Sequence, residues 1–321
     1  MNWSQINKIL VLQPENPDGD SVASALALEE ILGDLGKEVI IYGYVHVPDY
    51  LHYIQGADRI TEEFPSNFDA TIIVDTVTAS LLENTLKGAK LAAISKKPVL
   101  VLDHHPTEND LPLPMAEFYG GEGSAVATGE IVYDLAQKEQ WAISAAAATH
   151  IVESMLADTL GLTTEAVGGD NVQTVAECLK LGASMADIDK RRREYMKKSQ
   201  KIVTYKGALL QRVEYLCNAK LGLIHIPWEE IQEYSPFYNP AMLVIEELRN
   251  TEDIELSVAL KTYPDGKITG KIRANNHPLA GDLAAHFGGG GHAYAAGFKT
   301  TEWKYEELKA ELIKKTSELL K

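Results

Sequence analysis

The chain has 321 residues, 45% of them hydrophobic, enough for two ordinary globular cores. Its net charge of −16 excludes a broad nucleic-acid surface, which needs a Lys/Arg excess to displace counterions, but leaves room for a local basic pocket. Two cysteines, Cys178 and Cys217, lie far apart without metal-ligand spacing, so no disulfide framework is expected and a reducing cytoplasm fits best. The N-terminus "MNWSQINKIL" lacks a signal-peptide pattern, and no apolar run reaches the roughly 18–20 residues that span a bilayer.

The first half alternates short apolar strands with helical patterns. "KILVL" (8–12) reads as a strand and "DSVASALALEEILGDLG" as a helix, with apolar residues mostly three or four apart and Gly36 as its stop. The strands "EVIIY", "ATIIVD" ending at Asp75 and "PVLVLDHH" ending at Asp103, His104 and His105 follow. Strands that are apolar on both faces and alternate with helices predict a parallel α/β sheet. "GSAVATGEIVYDLAQKEQ" and "SAAAATHIVESMLADT" read as two more helices, the second ending near Asp158. The basic run "KRRREYMKKSQK" (190–201) is expected inside one long helix between domains, where a solvated face explains its charge.

Beyond it the pattern turns strand-like, in "AKLGLIHI", "AMLVIEEL" and "IELSVALKTYPDGKITGKIRA", with "YPDGK" as a hairpin turn. A helix, "KYEELKAELIKKTSELLK", follows them. The expected division is a parallel-sheet domain over 1–185, a helical linker over 186–215 and a smaller α/β domain over 216–321.

Three predicted strands carry acids or histidines directly after their carboxyl ends: Asp18 and Asp20, Asp75, and Asp103 with His104 and His105. Ligands bind beyond those ends in open parallel sheets. A single such Asp is more often a helix cap or turn residue, but carboxylates brought together repel one another unless a cation neutralises them. Oxygen donors mixed with imidazole suit manganese, with magnesium or iron(II) less distinctive alternatives. In "AAHFGGGGHAYAAGF" (284–298), Gly288, Gly289, Gly290 and Gly291 are expected to form an anion-binding nest. A helix starting through "HAYAAG" would add its N-terminal partial charge, His292 a further donor and Arg273 bidentate contacts.

"NPDGD", "VDT", "DHH", "ADT" and "GGGGH", in this order, resemble the DHH phosphoesterases, and within them the bacterial hydrolases of short oligoribonucleotides and 3′-phosphoadenosine 5′-phosphate. The similarity runs over about residues 5–300 and includes "GSAVATGEIVY". It implies two domains with an active-site cleft between them, two divalent ions, usually manganese, in the first, and substrate binding by a DHH-associated second domain. By position, Asp18 resembles a ligand of the first ion, Asp75 the bridging carboxylate, and Asp20, His104 and Asp158 ligands of the second. His105 resembles the residue that contacts the phosphate, and Asp103 one that orients a histidine. Arg273, Gly288 to Gly291 and His292 match the substrate-phosphate pocket.

The chain also departs from that pattern. The first motif of the family reads H-x-x-x-D-x-D, and its histidine falls on Pro14, which has no donor atom; Gln13 and Glu15 flank it. "LGLTTEAV" follows Asp158-Thr159 in place of Gly-(Arg)-Phe, and Ala274 stands where serine is common. The expectation is a cytoplasmic metal-dependent phosphoesterase of reduced activity, acting on a small nucleotide or short RNA and not on long duplexes or at membranes, with a homodimer left open. The alternatives are a catalytically inactive DHH protein that binds a nucleotide, a cyclic-dinucleotide phosphodiesterase and, with less support, an inorganic pyrophosphatase.

Overall fold

Alternate side chains of β1 (Lys8–Leu12) enter different cores, which is why its sequence is apolar without interruption. Ile9 and Val11 join one core, and Leu10 and Leu12 the other. The same division holds for β3 (Ala70–Val74) and β4 (Val99–Asp103), where Ile72, Val74, Leu100 and Leu102 face the first core and Ile73, Val99 and Val101 the second. With β2 (Glu38–Tyr42) and β5 (Glu117–Gly120) these strands form a parallel five-stranded sheet in the order β2-β1-β3-β4-β5. The computed structural model describes residues 1–105, 109–120 and 125–320, in two compact units, Met1–Lys197 and Lys198–Lys321.

Helix α1 (Gly19–Asp34) begins at a reciprocal cap: Asp18 Oδ1 accepts from Ser21 N at 3.0 Å, and Asp18 N donates to Ser21 Oγ at 3.0 Å. Residues 19–28 are all buried, so its first turns form a central helix rather than the one-sided helix the spacing predicts. It is covered by α3 (Thr128–Lys138) and α4 (Ala145–Asp158), while α2 (Gly88–Ile94) supplies Ile94 to the opposite core. Gly123 and Ser124, expected at the start of α3, lie outside the described residues. Helices α5 (Gly169–Lys180) and α6 (Met185–Tyr195) complete the first unit.

The basic run is not one helix. α6 ends at Tyr195, and α7 (Gln200–Gln211) starts afresh with Ser199 Oγ accepting from Ile202 N. A serine cap restarts a helix because it satisfies an amide that has no partner in the preceding turn.

The second unit holds a six-stranded sheet, β10-β11-β9-β8-β7-β6, formed by β6 (Glu214–Leu216), β7 (Leu221–Ile226), β8 (Leu256–Thr262), β9 (Ile268–Ala274), β10 (Gly290–Gly291) and β11 (Ala295–Thr300). β7 and β8 are parallel, and the other pairs antiparallel. The "YPDGK" turn links β8 to β9: Tyr263 N donates to Lys267 O at 2.9 Å, and Gly266 takes φ +79°. The segment "AMLVIEEL" is not a strand. It forms a 3₁₀ turn, Pro240–Leu243, and α9 (Ile245–Arg249), which follow α8 (Trp228–Tyr234). Its apolar residues, Leu243, Ile245 and Leu248, pack with Ile224, Ile226 and Ala259, a burial that suits either period in so short a run.

On the opposite sheet face, Val258, Leu260, Ile272 and Phe298 pack with Leu283 of α10 (Ala280–His286) and with Leu308 and Leu312 of α11 (Tyr305–Leu319). The helix expected after the glycines is a hairpin instead, β10 returning as β11 through a turn closed by His292 N donating to Ala295 O at 2.9 Å. At Gly289 a Cβ would lie 2.2 Å from Gly297 O, so the close approach of this hairpin requires glycine. No helix among the described residues is long and apolar enough to cross a membrane.

Candidate functional site

The chain leaves β1 for β2 on one side and takes up β3 on the other, so the loops after β1 and β3 diverge and open a crevice at the carboxyl ends of the strands. Asp20 lies in the first turn of α1, Asp75 directly after β3, His104 directly after β4, and Asp158 at the end of α4. Their side chains converge. His104 Nε2 lies 3.6 Å from Asp20 Oδ2, 3.6 Å from Asp75 Oδ1 and 3.5 Å from Asp158 Oδ2. That nitrogen is buried and has no hydrogen-bond partner.

An unpartnered imidazole nitrogen facing three carboxylates at more than hydrogen-bond length is the spacing of donors that share one divalent cation, and the mixed oxygen and nitrogen set fits such an ion. Two overlapping groups of donors within 4.8 Å of one another are present, Asp20/His104/Asp158 and Asp75/His104/His105. Without a cation the arrangement is electrostatically costly. Burial pushes the Asp75 carboxyl well above its ordinary range, and the charges of Asp20 and Asp18 add to this, against the hydrogen bond from Thr128. Asp158 is raised by burial and by Asp20 and is partly relieved by His104. Asp75 also holds φ at +60°, a left-handed conformation that costs a non-glycine residue about 1–3 kcal/mol.

His105 stands beside this group. Its Nδ1 lies 2.7 Å from Asp103 Oδ1, a bond that raises its pKa against the opposing effect of burial. Asp103 is buried while the His105 side chain is 47% exposed, so the carboxylate fixes the ring and leaves Nε2 available.

Asp18 is exposed, belongs to neither donor group around His104 and caps α1. Pro14 is buried. The Glu15 carboxylate accepts from Asn84 N, Asn84 Nδ2 and Thr85 N, and Gln13 Nε2 donates to Ser21 O at 2.9 Å. The Glu15 side chain is therefore engaged away from the donor groups, while Gln13 Oε1 is buried without a hydrogen-bond partner.

In the second unit, residues of β8, β9 and β11 on the face opposite α10 and α11 line a groove of about 710 Å³ with Lys261, Lys271, Arg273, Lys299 and Gly288 to Gly291. Ala259 faces Lys271 across β8 and β9, and Lys271 faces Gly297 across β9 and β11, so these cations share one side of the pleat. Burial lowers the Lys261 and Lys271 pKa values, and repulsion from neighbouring cations lowers them further. Lys261 Nζ donates to Asn239 Oδ1 at 2.7 Å, and Arg273 Nη1 to Ile272 O at 3.0 Å. Gly288 N and Gly289 N are bonded to Ala285 O and Ala284 O at the end of α10, which removes them from an anion nest. His292 is exposed and does not line the groove.

Residues 8–163 match the DHH family, N-terminal domain, and residues 239–321 match the DHHA1 domain. The chain belongs to the DHH family. Among its curated relatives, the bifunctional oligoribonuclease and PAP phosphatase NrnA of Bacillus subtilis is 22% identical over 94% of this chain and 91% of its own length. NrnA of Thermus thermophilus is 24% identical over 88% and 81%. The crystal structure of an exopolyphosphatase-related protein from Bacteroides fragilis shares the fold, with a TM-score of 0.82 at 21% identity over 99% of this chain and 95% of that one. Domains and relatives together support a phosphoesterase of the DHH type.

Several residues that hold the centre of this DHH domain escape a reading of the sequence. Asp20 Oδ1 accepts from Ser24 Oγ at 2.8 Å and Ser154 Oγ at 2.5 Å, and Asp20 Oδ2 from Thr128 N at 2.8 Å. Thr128 Oγ1 donates to Asp75 Oδ1 at 3.0 Å. The start of α3 thus points an amide that has no partner within its helix, and its partial positive charge, at the carboxylates. The signal was present in "GSAVATGEIVY", where small residues allow this approach: a Cβ on Gly129 would lie 2.3 Å from Ser154 Oγ. In the DHHA1 domain, Lys261, Lys271 and Lys299 were equally silent, because only strand register brings them to Arg273.

Proposed function

We propose that this protein hydrolyses phosphate esters of short oligoribonucleotides, of 3′-phosphoadenosine 5′-phosphate, or of both, with manganese as the metal and magnesium as a substitute. The observation that supports this most directly is the buried, unpartnered His104 Nε2 facing the carboxylates of Asp20, Asp75 and Asp158 in a chain related to NrnA. Asp20, Asp75, His104 and Asp158 would hold one ion, and Asp18 with Asp75 a second, weaker one. Divalent ions held by these residues would supply Lewis-acid activation of water and neutralise charge on the phosphoryl group.

The chain's own groups do the rest. Thr128 and Ser154 fix the carboxylates by hydrogen bonds. Asp103 accepts from Nδ1–H of His105 and favours its imidazolium form, whose Nε2–H then donates to a phosphoryl oxygen and offsets its charge. Arg273 and the lysines around it offer the second unit's anion contacts, with the glycine segment giving backbone room beside them.

A second reading, a nucleotide-binding protein without turnover, is favoured by Pro14, which removes one ligand while Glu15 is engaged elsewhere. Phosphate release from 3′-phosphoadenosine 5′-phosphate and cleavage of a labelled diribonucleotide, both with manganese, separate the two. Turnover by the wild type that Asp75→Asn abolishes supports the hydrolase. An inert wild type beside an active Pro14→His variant supports the binder, and inactivity of both overturns the substrate assignment.

A further inference from the structure

Outside the centre already described, the loop after β2 carries a second group of ligand-type side chains, in "HVPDYLH". Donor atoms of His46, Asp49 and His52 lie within 4.8 Å of one another. These residues recur every three positions, and the residues between them anchor the loop: Val47 is 4% and Leu51 3% exposed, and both belong to the main core. The ligand-bearing side of the loop is therefore held by the apolar side.

Both histidines are oriented by acceptors. His46 Nδ1 lies 3.2 Å from Glu62 Oε1, and His52 Nε2 lies 3.2 Å from Val47 O. A carboxylate and a carbonyl only accept, so each contacted nitrogen carries the proton when the ring is neutral. That leaves a lone pair on His46 Nε2 and another on His52 Nδ1. The two rings are stacked at 5.9 Å between centroids. Glu62 follows a backbone position that is held to the sheet edge, since Thr61 N donates to Ile41 O at 3.0 Å and Thr61 O accepts from Gly43 N at 3.0 Å. Two imidazoles with defined tautomers, one carboxylate and a supporting carboxylate form the donor set of a borderline transition-metal ion.

We propose that His46, Asp49 and His52 form a separate site for a zinc-class divalent cation, with Glu62 orienting His46. It shares no residue with the Asp20/Asp75/His104/Asp158 centre and does not depend on the proposed phosphoesterase function. The same stretch carries Tyr50 and Tyr53, which line a cavity of about 550 Å³ beside Gly19.

The test uses full-length protein and zinc alone. An Asp75→Asn/His104→Ala variant disables the main centre, and calorimetric titration should still find one equivalent of zinc. Adding His46→Ala and His52→Ala should remove that equivalent, and adding Glu62→Ala instead should weaken it about tenfold. No zinc uptake by the folded Asp75→Asn/His104→Ala variant, or uptake indifferent to His46→Ala and His52→Ala, overturns the site. If that background does not fold, metal content after dialysis decides: His46→Ala/His52→Ala should hold one zinc fewer than the wild type, and equal content overturns the proposal.

Discussion

Ser154 Oγ donates to Asp20 Oδ1 at 2.5 Å, joining α4 to the first turn of α1 through two fully buried side chains. The same hydroxyl accepts from Gly129 N at 2.9 Å, so one serine ties three helices to a single carboxylate. Ser154→Ala leaves the Gly129 amide short of its closer acceptor and should destabilise the fold by about 1–3 kcal/mol. Manganese affinity should fall about 10–100-fold, as for other residues that orient a ligand. Thermal melts and calorimetric titration read the two effects separately.

Asp75 should trade stability for metal binding. Its folded pKa is raised by burial and neighbouring carboxylates, so its stabilising share is present below the unfolded value and disappears as pH rises through the folded one. The metal-free protein should therefore lose stability from this group as pH rises from the ordinary carboxyl range toward its raised folded value. Asp75→Asn should flatten that slope and raise the melting temperature at pH 7 in the presence of a chelator. The wild type alone should recover when manganese is added.

Gly129→Ala would place a methyl group against Ser154 Oγ, at a distance no packed pair adopts. Helix propensity favours alanine, yet overpacking here should outweigh it at a cost of about 1–3 kcal/mol. Denaturant unfolding should show a lower midpoint, and a double variant with Ser154→Ala should lose less than the sum of the two single changes.

Lys271 and Arg273 should contribute to anion binding in the second unit. Lys271→Ala and Arg273→Ala should each weaken binding of 3′-phosphoadenosine 5′-phosphate by about tenfold, since an ion pair with phosphate is worth more than one net hydrogen bond. Titrations at two salt concentrations check this: the wild type should lose more affinity with added salt than either variant.

The sequence by itself determined the parallel sheet, because β1, β3 and β4 are buried on both sides and their local composition states this. It also determined the strand-end acids and the hairpin at "YPDGK", where local chemistry sets the backbone. The order of motifs carried the family. Short apolar runs stayed ambiguous: "AMLVIEEL" suits a strand or a helix by its local pattern and its burial alike, and the folded chain makes it a 3₁₀ turn and α9 among α7, α8 and β7. The glycines after α10 could open a helix or pair as a strand, and the approach of Gly297 decided for pairing. Which donors converge was equally beyond local reading. Only the crossing of α1, α3 and α4 brings Thr128 and Ser154 to Asp20, and only strand register gathers the lysines around Arg273. Contacts between residues distant in the chain follow from packing, and packing is a property of the folded whole.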